Sequence, residues 1–260
     1  MGERFIDCFR RIPPAFFGIM LTAAYLLFCL LTLPDFGITW DEPDHFANGD
    51  FYLQKLFHDP TGRIKSTDIN ADLEYYGPFF DILSSLSNRM LAEKWGLISS
   101  DCARHLPLVI SASIAVLFTY LFTLRAYSGR AAFLATLFLI SFPRFIGHSF
   151  NNPKDNPITM LTIVCYYLVY LRITTDKKRY SAVLAIIGGI AFATRIQYVI
   201  VIITIITYMI IIWSIPKICK DRMKIRFREF WDIGLALIMS IPIGIAVWPY
   251  FWSDSLNKLI

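Results

Sequence analysis

The 260-residue sequence contains no CxxC pair, no Asn-x-Ser/Thr sequon, no internal repeat and no low-complexity tract. Its long apolar runs also lack Asp, Glu, Lys, Arg and His at their centres. Each absence removes a class of protein. Without paired cysteines there is no thiol framework for a structural metal or a disulfide scaffold, and the missing sequon is compatible with a bacterial chain. Proton-coupled transporters and voltage sensors carry ionisable groups at membrane depth, so the empty centres argue against both. The first run, Pro14 to Leu33, has no small-x-small cleavage site before the acidic cluster that follows it and is too long for the core of a signal peptide. It reads as an uncleaved first helix.

What the sequence has in abundance is hydrophobicity: 56% of its residues are hydrophobic and its mean hydropathy is +0.52, more than one soluble core requires. The apolar runs have the length of a membrane helix rather than of ten-residue alternating strands. The expected fold is all-α, a polytopic transmembrane helical bundle with spans at 14–33, 106–124, 131–146, 157–171, 181–195, 197–214 and 232–249. With the N-terminus inside, the segments before residue 14 and at 125–130, 172–179 and 217–228 together hold 15 of the 25 Lys and Arg residues, the bias expected of cytoplasmic loops. The topology expected is therefore N-terminus cytoplasmic and C-terminus outside, in a multi-pass integral membrane protein such as those of the bacterial inner membrane. It leaves Cys8 and Cys219 inside, Cys29 and Cys165 within helices, and Cys102 alone outside. The basic loop 217–228 reads as a topology determinant that touches anionic headgroups.

One outer segment, 34–105, is far longer than the other loops, and loops of that length usually carry function. Apolar residues at three-to-four spacing predict two amphipathic helices within it, at 43–57 and 78–97, lying at the membrane interface; "HDPTG" at 58–62 and "YYGP" at 75–78 are turn signals between them. A second outer segment, "PRFIGHSFNNPKDNP" at 143–157, is short and polar.

Titratable residues gather at the outer mouths of the helices. Asp41, Glu42, Asp44 and His45 follow the first, Arg144 and His148 follow the third, Lys154 and Asp155 precede the fourth, and Arg195 lies at the turn between the fifth and sixth. Simpler readings exist for each. "TWDE" at 39–42 is a passable capping box, Asp155 or Asn156 suits the cap of the fourth helix, His45 and His148 read as interfacial hydrogen-bonding residues, and Arg195 can reach the headgroups. Asp, Glu, Asp and His in one loop also suit a divalent cation, though no defined ligand loop is present, and a metal-free site with no cofactor is the favoured expectation. Capping accounts for residues one at a time. It does not account for an acidic cluster on one outer loop facing a mixed basic and acidic cluster on the next, a combination suited to a substrate with an apolar tail and a charged head.

"ITWDEPDHFANGDFYL" after a first membrane helix, "YYGP", and "PRFIGHSFNNPKDNP" between the third and fourth helices resemble the polytopic glycosyltransferases of the GT-C superfamily, nearest to glycosyltransferase family 39, the protein O-mannosyltransferase and aminoarabinose-transferase group. Asp41, Glu42, His45 and Phe46 match the family's first-loop motif, whereas Ala47 stands where the mannosyltransferases have Gly. Their His-Pro-Pro element has only "HDP" at 58–60 and "YYGP" as counterparts. The resemblance implies a single membrane-embedded catalytic module over residues 1–260 that transfers a hexosyl or pentosyl group from a polyprenyl-phosphate donor to an acceptor hydroxyl, with inversion, at the outer face. The acceptor (protein, lipid or glycan), the sugar and the polyprenol are left open, and no nucleic acid is involved. It implies Asp41 as general base, with Glu42 orienting the acceptor or the first turn. Asp155 would hold acceptor or donor hydroxyls, Arg195, followed by Lys154 and Arg144, would neutralise the charge on the leaving phosphate, and His45 and His148 would be further substrate-binding residues. A transporter or flippase of lipid-linked sugars, or a non-catalytic binder, is the competing expectation. "WPYFWSDSLNKLI" at the end reads as entry into a further outer loop, so the chain is expected to be a minimal core or part of a longer enzyme.

Overall fold

The computed structural model describes residues 13–58, 76–214 and 227–252. The expectations for the N-terminal arginines, Cys8, the 59–62 turn, the basic loop with Cys219 and the last eight residues lie outside them. Among the described residues the structure is helical, with one isolated antiparallel bridge between Tyr76 and Arg195 and no strand. The helices are α1 (Pro14–Thr32), α2 (Glu42–His58), α3 (Phe79–Ser87, continued by a π-helical stretch Asn88–Lys94), α4 (Ser100–Ala126), α5 (Gly129–Ser141), α6 (Pro143–Asn151), α7 (Asp155–Thr175), α8 (Arg179–Phe192), α9 (Tyr198–Ser214) and α10 (Phe227–Val247). Four of them, α1, α4, α7 and α10, are long and apolar enough to cross a membrane, α5 and α6 together form a bent fifth candidate, and α8 and α9 are shorter apolar helices. This is a helical membrane bundle built around α4, which packs against α1, α3, α5, α6 and α7.

Several boundaries differ from expectation; the span read as 232–249, for one, begins at Phe227 and so takes in Glu229. The span read as 106–124 begins at Ser100, because the Ser99 hydroxyl caps it by accepting the Cys102 amide at 3.4 Å. Arg104 and His105 thereby enter the helix and are buried. The span read as 131–146 breaks at Phe142 and turns by 64°; the residue before a proline disfavours helical geometry, and Pro143 then starts α6 at a position where its missing N–H costs nothing. The short segment read at 143–157 is consequently helical over Pro143–Asn151. Arg172, read as part of a cytoplasmic loop, lies within α7 and is fully buried. Its guanidinium meets Asp176 at 3.1 Å and, from α10, Asp232 at 2.5 Å and Glu229 at 3.8 Å. Even with these longer helices, the centres of the apolar spans carry no charged residue.

The two helices expected within the long 34–105 segment form; they pack on each other, and α3 packs on α4. Gly49 permits the approach: a Cβ there would collide with the Asp81 carbonyl of α3. Along one flank, α3, its π-helical extension and the first half of α4 border an apolar groove of about 470 Å³ that includes Phe80, Met90, Trp95 and Ile110.

Gly77 is held by a similarly close contact, its Cα facing the Ala193 carbonyl with no room for a Cβ. The YYGP turn is thereby clamped to the α8–α9 turn, where the Phe79 amide also donates to Ala193 O at 3.4 Å. Gly77→Ala is expected to cost about 1–3 kcal/mol through overpacking, seen as a lower midpoint of thermal unfolding in detergent; an unchanged midpoint would mean that this contact contributes nothing.

Candidate functional site

The site grows from how α1 and α6 pack. Tyr25 stacks on Phe145 with ring centroids 5.9 Å apart, and its hydroxyl hydrogen-bonds Ser149 at 2.7 Å. Beyond the end of α1, Phe36 stacks on Phe150 at 3.6 Å with nearly parallel rings. These contacts bury one face of the short helix α6 and bring residues 39–41 beside the other. The opposite face carries Arg144, Gly147, His148 and Asn151, spaced at three and four residues as one helical face requires. With Thr39, Trp40 and Asp41 they enclose an open cleft of about 380 Å³. A second cleft of about 340 Å³ adjoins it at the α5–α6 bend, walled by Leu139, Phe142 and Phe145 on one side and Asp155, Asn156 and Thr159 on the other. Arg144 and His148 border both.

The sequence-derived residues separate into two groups. Asp41, Arg144, His148, Lys154, Asp155 and Arg195 come together at one end of the bundle. Arg195 forms an ion pair with Asp155 and donates through Nε to Gln197 at 2.9 Å. His148 lies between Arg144 and Asn152, its ring nitrogens 3.2 and 2.5 Å from them. The Asn152 side chain caps α7 by accepting the Lys154 and Asp155 amides at 3.1 and 2.7 Å. That leaves the Asp155 carboxylate to Arg195 and to the Asn152 amide group at 3.2 Å. Lys154 places its ammonium 4.0 Å from the centre of the Tyr76 ring. Half-burial pushes that ammonium below the usual lysine range and Arg195 adds to the shift, while the carboxylates of Asp81, Asp41 and Asp44 oppose it.

Glu42 and His45 are the exceptions: both are buried and face inward. Glu42 accepts the Thr39 amide at 2.5 Å and the Thr39 hydroxyl at 3.0 Å through Oε2, the carboxylate half of a capping box. Its Oε1 accepts a hydrogen bond from His105 Nε2 at 2.8 Å. His45 Nδ1 meets both oxygens of Asp81 at 3.0 and 3.1 Å, and Asn48 donates to the same carboxylate at 2.7 Å. His45 thus ties α2 to α3 instead of lining a cleft. Asp41 is half-exposed, with Oδ1 accepting from the Thr39 hydroxyl at 3.0 Å.

Three contributors were not singled out from sequence, His105, Arg104 and Asn152, whereas Thr39 entered there as the first residue of the capping box. Arg104 reaches Asp50 at 2.8 Å and Ser85 at 3.2 Å and lies 4.7 Å from the Phe46 ring, binding α4 to α2 and α3. The signal for Arg104 and His105 was the Ser-Ser-Asp start at 99–101, a helix-start pattern that draws both residues into α4. Asn152 sits two residues before Lys154, the position of an Asx turn. Among the described residues, no three His, Cys, Asp or Glu side chains come together as a metal site.

A family model described as dolichyl-phosphate-mannose-protein mannosyltransferase matches residues 97–245. The matched region runs from just before α4 to near the end of α10 and contains Arg144, His148, Lys154, Asp155 and Arg195, but not Asp41 or Glu42. No curated protein and no solved structure matches the chain.

Proposed function

The chain belongs to the dolichyl-phosphate-mannose-protein mannosyltransferase family, and from that premise we propose that this GT-C glycosyltransferase moves a sugar from a polyprenyl-phosphate donor to an acceptor hydroxyl, with inversion, at the outer face of the membrane. The observation that carries the proposal is the cleft in which the half-exposed Asp41 faces Arg144 and His148, with the Arg195–Asp155 pair next to it.

Inverting transfer needs a carboxylate to take the acceptor's proton on one face of the sugar and positive charge to receive the departing phosphate on the other. Asp41 has the exposure and position for the first task. Arg195, Arg144 and Lys154 suit the second, and the apolar wall of Leu139, Phe142 and Phe145 suits the first units of an isoprenoid chain. Asp155, held by Arg195 and Asn152, would accept hydrogen bonds from sugar hydroxyls. Glu42 would act on the loop that carries Asp41, not on the acceptor, and no metal is needed in this scheme. The test is transfer of labelled sugar from a panel of polyprenyl-phosphate sugars in proteoliposomes, with and without EDTA. Transfer from one donor that survives EDTA is the expected result, and bound donor with no transfer from any of them would overturn it.

Lys154 gives this reading a pH signature. Its cation persists below its pKa and is lost as pH rises through it, and the lowered pKa brings that loss to lower pH than an ordinary lysine would show. Lys154→Arg keeps the charge throughout. The alkaline limb of the pH profile of kcat/KM for the donor is therefore expected to move to higher pH in the variant; an unmoved limb would exclude Lys154 from donor binding.

A further inference from the structure

We propose that Thr39 and His105 are positioning residues that fix the Asp41 carboxylate through Glu42, an inference that rests on the reading of Asp41 as the base. The connection is continuous: His105 Nε2 donates to Glu42 Oε1 at 2.8 Å, Glu42 Oε2 holds the Thr39 amide at 2.5 Å, and the Thr39 hydroxyl lies 3.0 Å from both Glu42 Oε2 and Asp41 Oδ1.

Each member is placed for this work. His105 and Glu42 are fully buried, and neither is among the side chains that border the two clefts. His105 Nδ1 has no partner among the described residues, so within them the imidazole hydrogen-bonds through Nε2 to Glu42. A buried carboxylate is costly unless its oxygens are hydrogen-bonded, and here His105 serves one oxygen of Glu42 while Thr39 serves the other. Thr39 in turn is the only one of the three that reaches the cleft. The Thr39 hydroxyl has one proton and two carboxylate acceptors within reach. Whichever it serves, the Thr39 amide is anchored by Glu42, so the hydroxyl stays beside Asp41. His105 sits in the second turn of α4, the helix at the centre of the bundle, so the relay references the base to the core across the segment 36–39, which has no regular secondary structure.

The remaining residues of the segment do not perform this task. Trp40 is 92% exposed, and a Cβ added to Gly37 would meet nothing within 4 Å. Without the relay, the carboxylate would rest on a loop held at Phe36 and at the start of α2 alone. Misplacing a catalytic group by about 1 Å is enough to cost roughly 100-fold in rate.

The test uses steady-state transfer kinetics and donor binding on the full chain in proteoliposomes. Thr39→Val removes the hydroxyl at constant shape and keeps the amide bonded to Glu42; His105→Leu removes the donor to Glu42. Each is expected to lower kcat by about 10- to 100-fold with donor KM and donor affinity little changed. Thr39→Ser and His105→Gln, which keep a donor, restore kcat to within a few-fold of wild type. Because both act through one carboxylate, the double variant loses far less than the product of the two single losses. Equal losses in kcat and in the unfolding midpoint that the conservative variants do not rescue would show a structural role and overturn the proposal, as would a Thr39→Val variant with wild-type kcat. Asp41→Asn serves as the separate control. If that variant is fully active the reading of Asp41 as base fails, whereas a dead Asp41→Asn beside an unaffected Thr39→Val removes the relay alone.

Discussion

Asp41→Asn is expected to lower turnover by about 100- to 10,000-fold, the range over which a positioned general base contributes, while leaving donor binding within a few-fold of wild type. The substitution is nearly isosteric and keeps an oxygen to accept from the Thr39 hydroxyl, which now meets Oδ1 at 3.0 Å. What it removes is the capacity to take a proton. The variant therefore separates catalysis from recognition in a way that removal of a cation does not. A transporter or flippase of lipid-linked sugars would use the same cleft for binding without needing a base, so under that reading Asp41→Asn moves substrate at close to the wild-type rate. The measurement is transfer of labelled sugar in parallel with translocation of the same donor. Near-normal transfer by the variant would remove Asp41 from the chemistry.

Arg172→Met is expected to have the largest effect on stability, and it lies at the other end of the bundle. Arg172 is fully buried in the last turns of α7, with Asp176 on its own helix and Asp232 and Glu229 on α10. Removing the guanidinium takes a counter-charge from Glu229, itself 1% exposed, and weakens the link between α7 and α10. Deleting one partner of a buried ionic group typically costs about 3–5 kcal/mol, because the charge left behind has lost both water and its counter-charge. For a chain of this size that corresponds to a drop of roughly 6–20 °C in Tm. Replacing Glu229 and Asp232 by Gln and Asn in the Arg172→Met background should return part of the loss, since the excess negative charge is then gone. A single variant as stable as wild type would mean that the two carboxylates find water or protonate at little cost.

These two substitutions separate what kind of information each residue carried in the chain. Asp41 was legible. A carboxylate directly after an apolar span of crossing length, followed by Glu42 and His45, stands out against runs that exclude charge. The meeting of Asp41 with Arg144, His148 and Lys154 was legible as a grouping, because helices of similar length returning through one membrane bring alternate loops to one level. Arg172 was misread. Its position next to Lys177, Lys178 and Arg179 gives a basic run typical of a cytoplasmic loop, and the α10 carboxylate that meets it most closely, Asp232, is 60 positions away.

The same distinction governs the helix ends and the network beneath the site. Length, hydropathy and charge exclusion by themselves determined that the chain is a helical membrane bundle, since lipid leaves the backbone no other way to satisfy its hydrogen bonds in apolar runs of that length. They also determined which segments between the apolar runs gather titratable residues. Only the tertiary structure decided that Pro143 ends one helix and starts another at a 64° bend, that Asn152 caps α7 and frees Asp155 for Arg195, and that Glu42 turns inward to His105, 63 positions away. The physical reason is range. Exclusion of charge from lipid acts residue by residue and is written along the chain, whereas the partner of a buried polar group is fixed by which helix faces meet, and no local spacing encodes that.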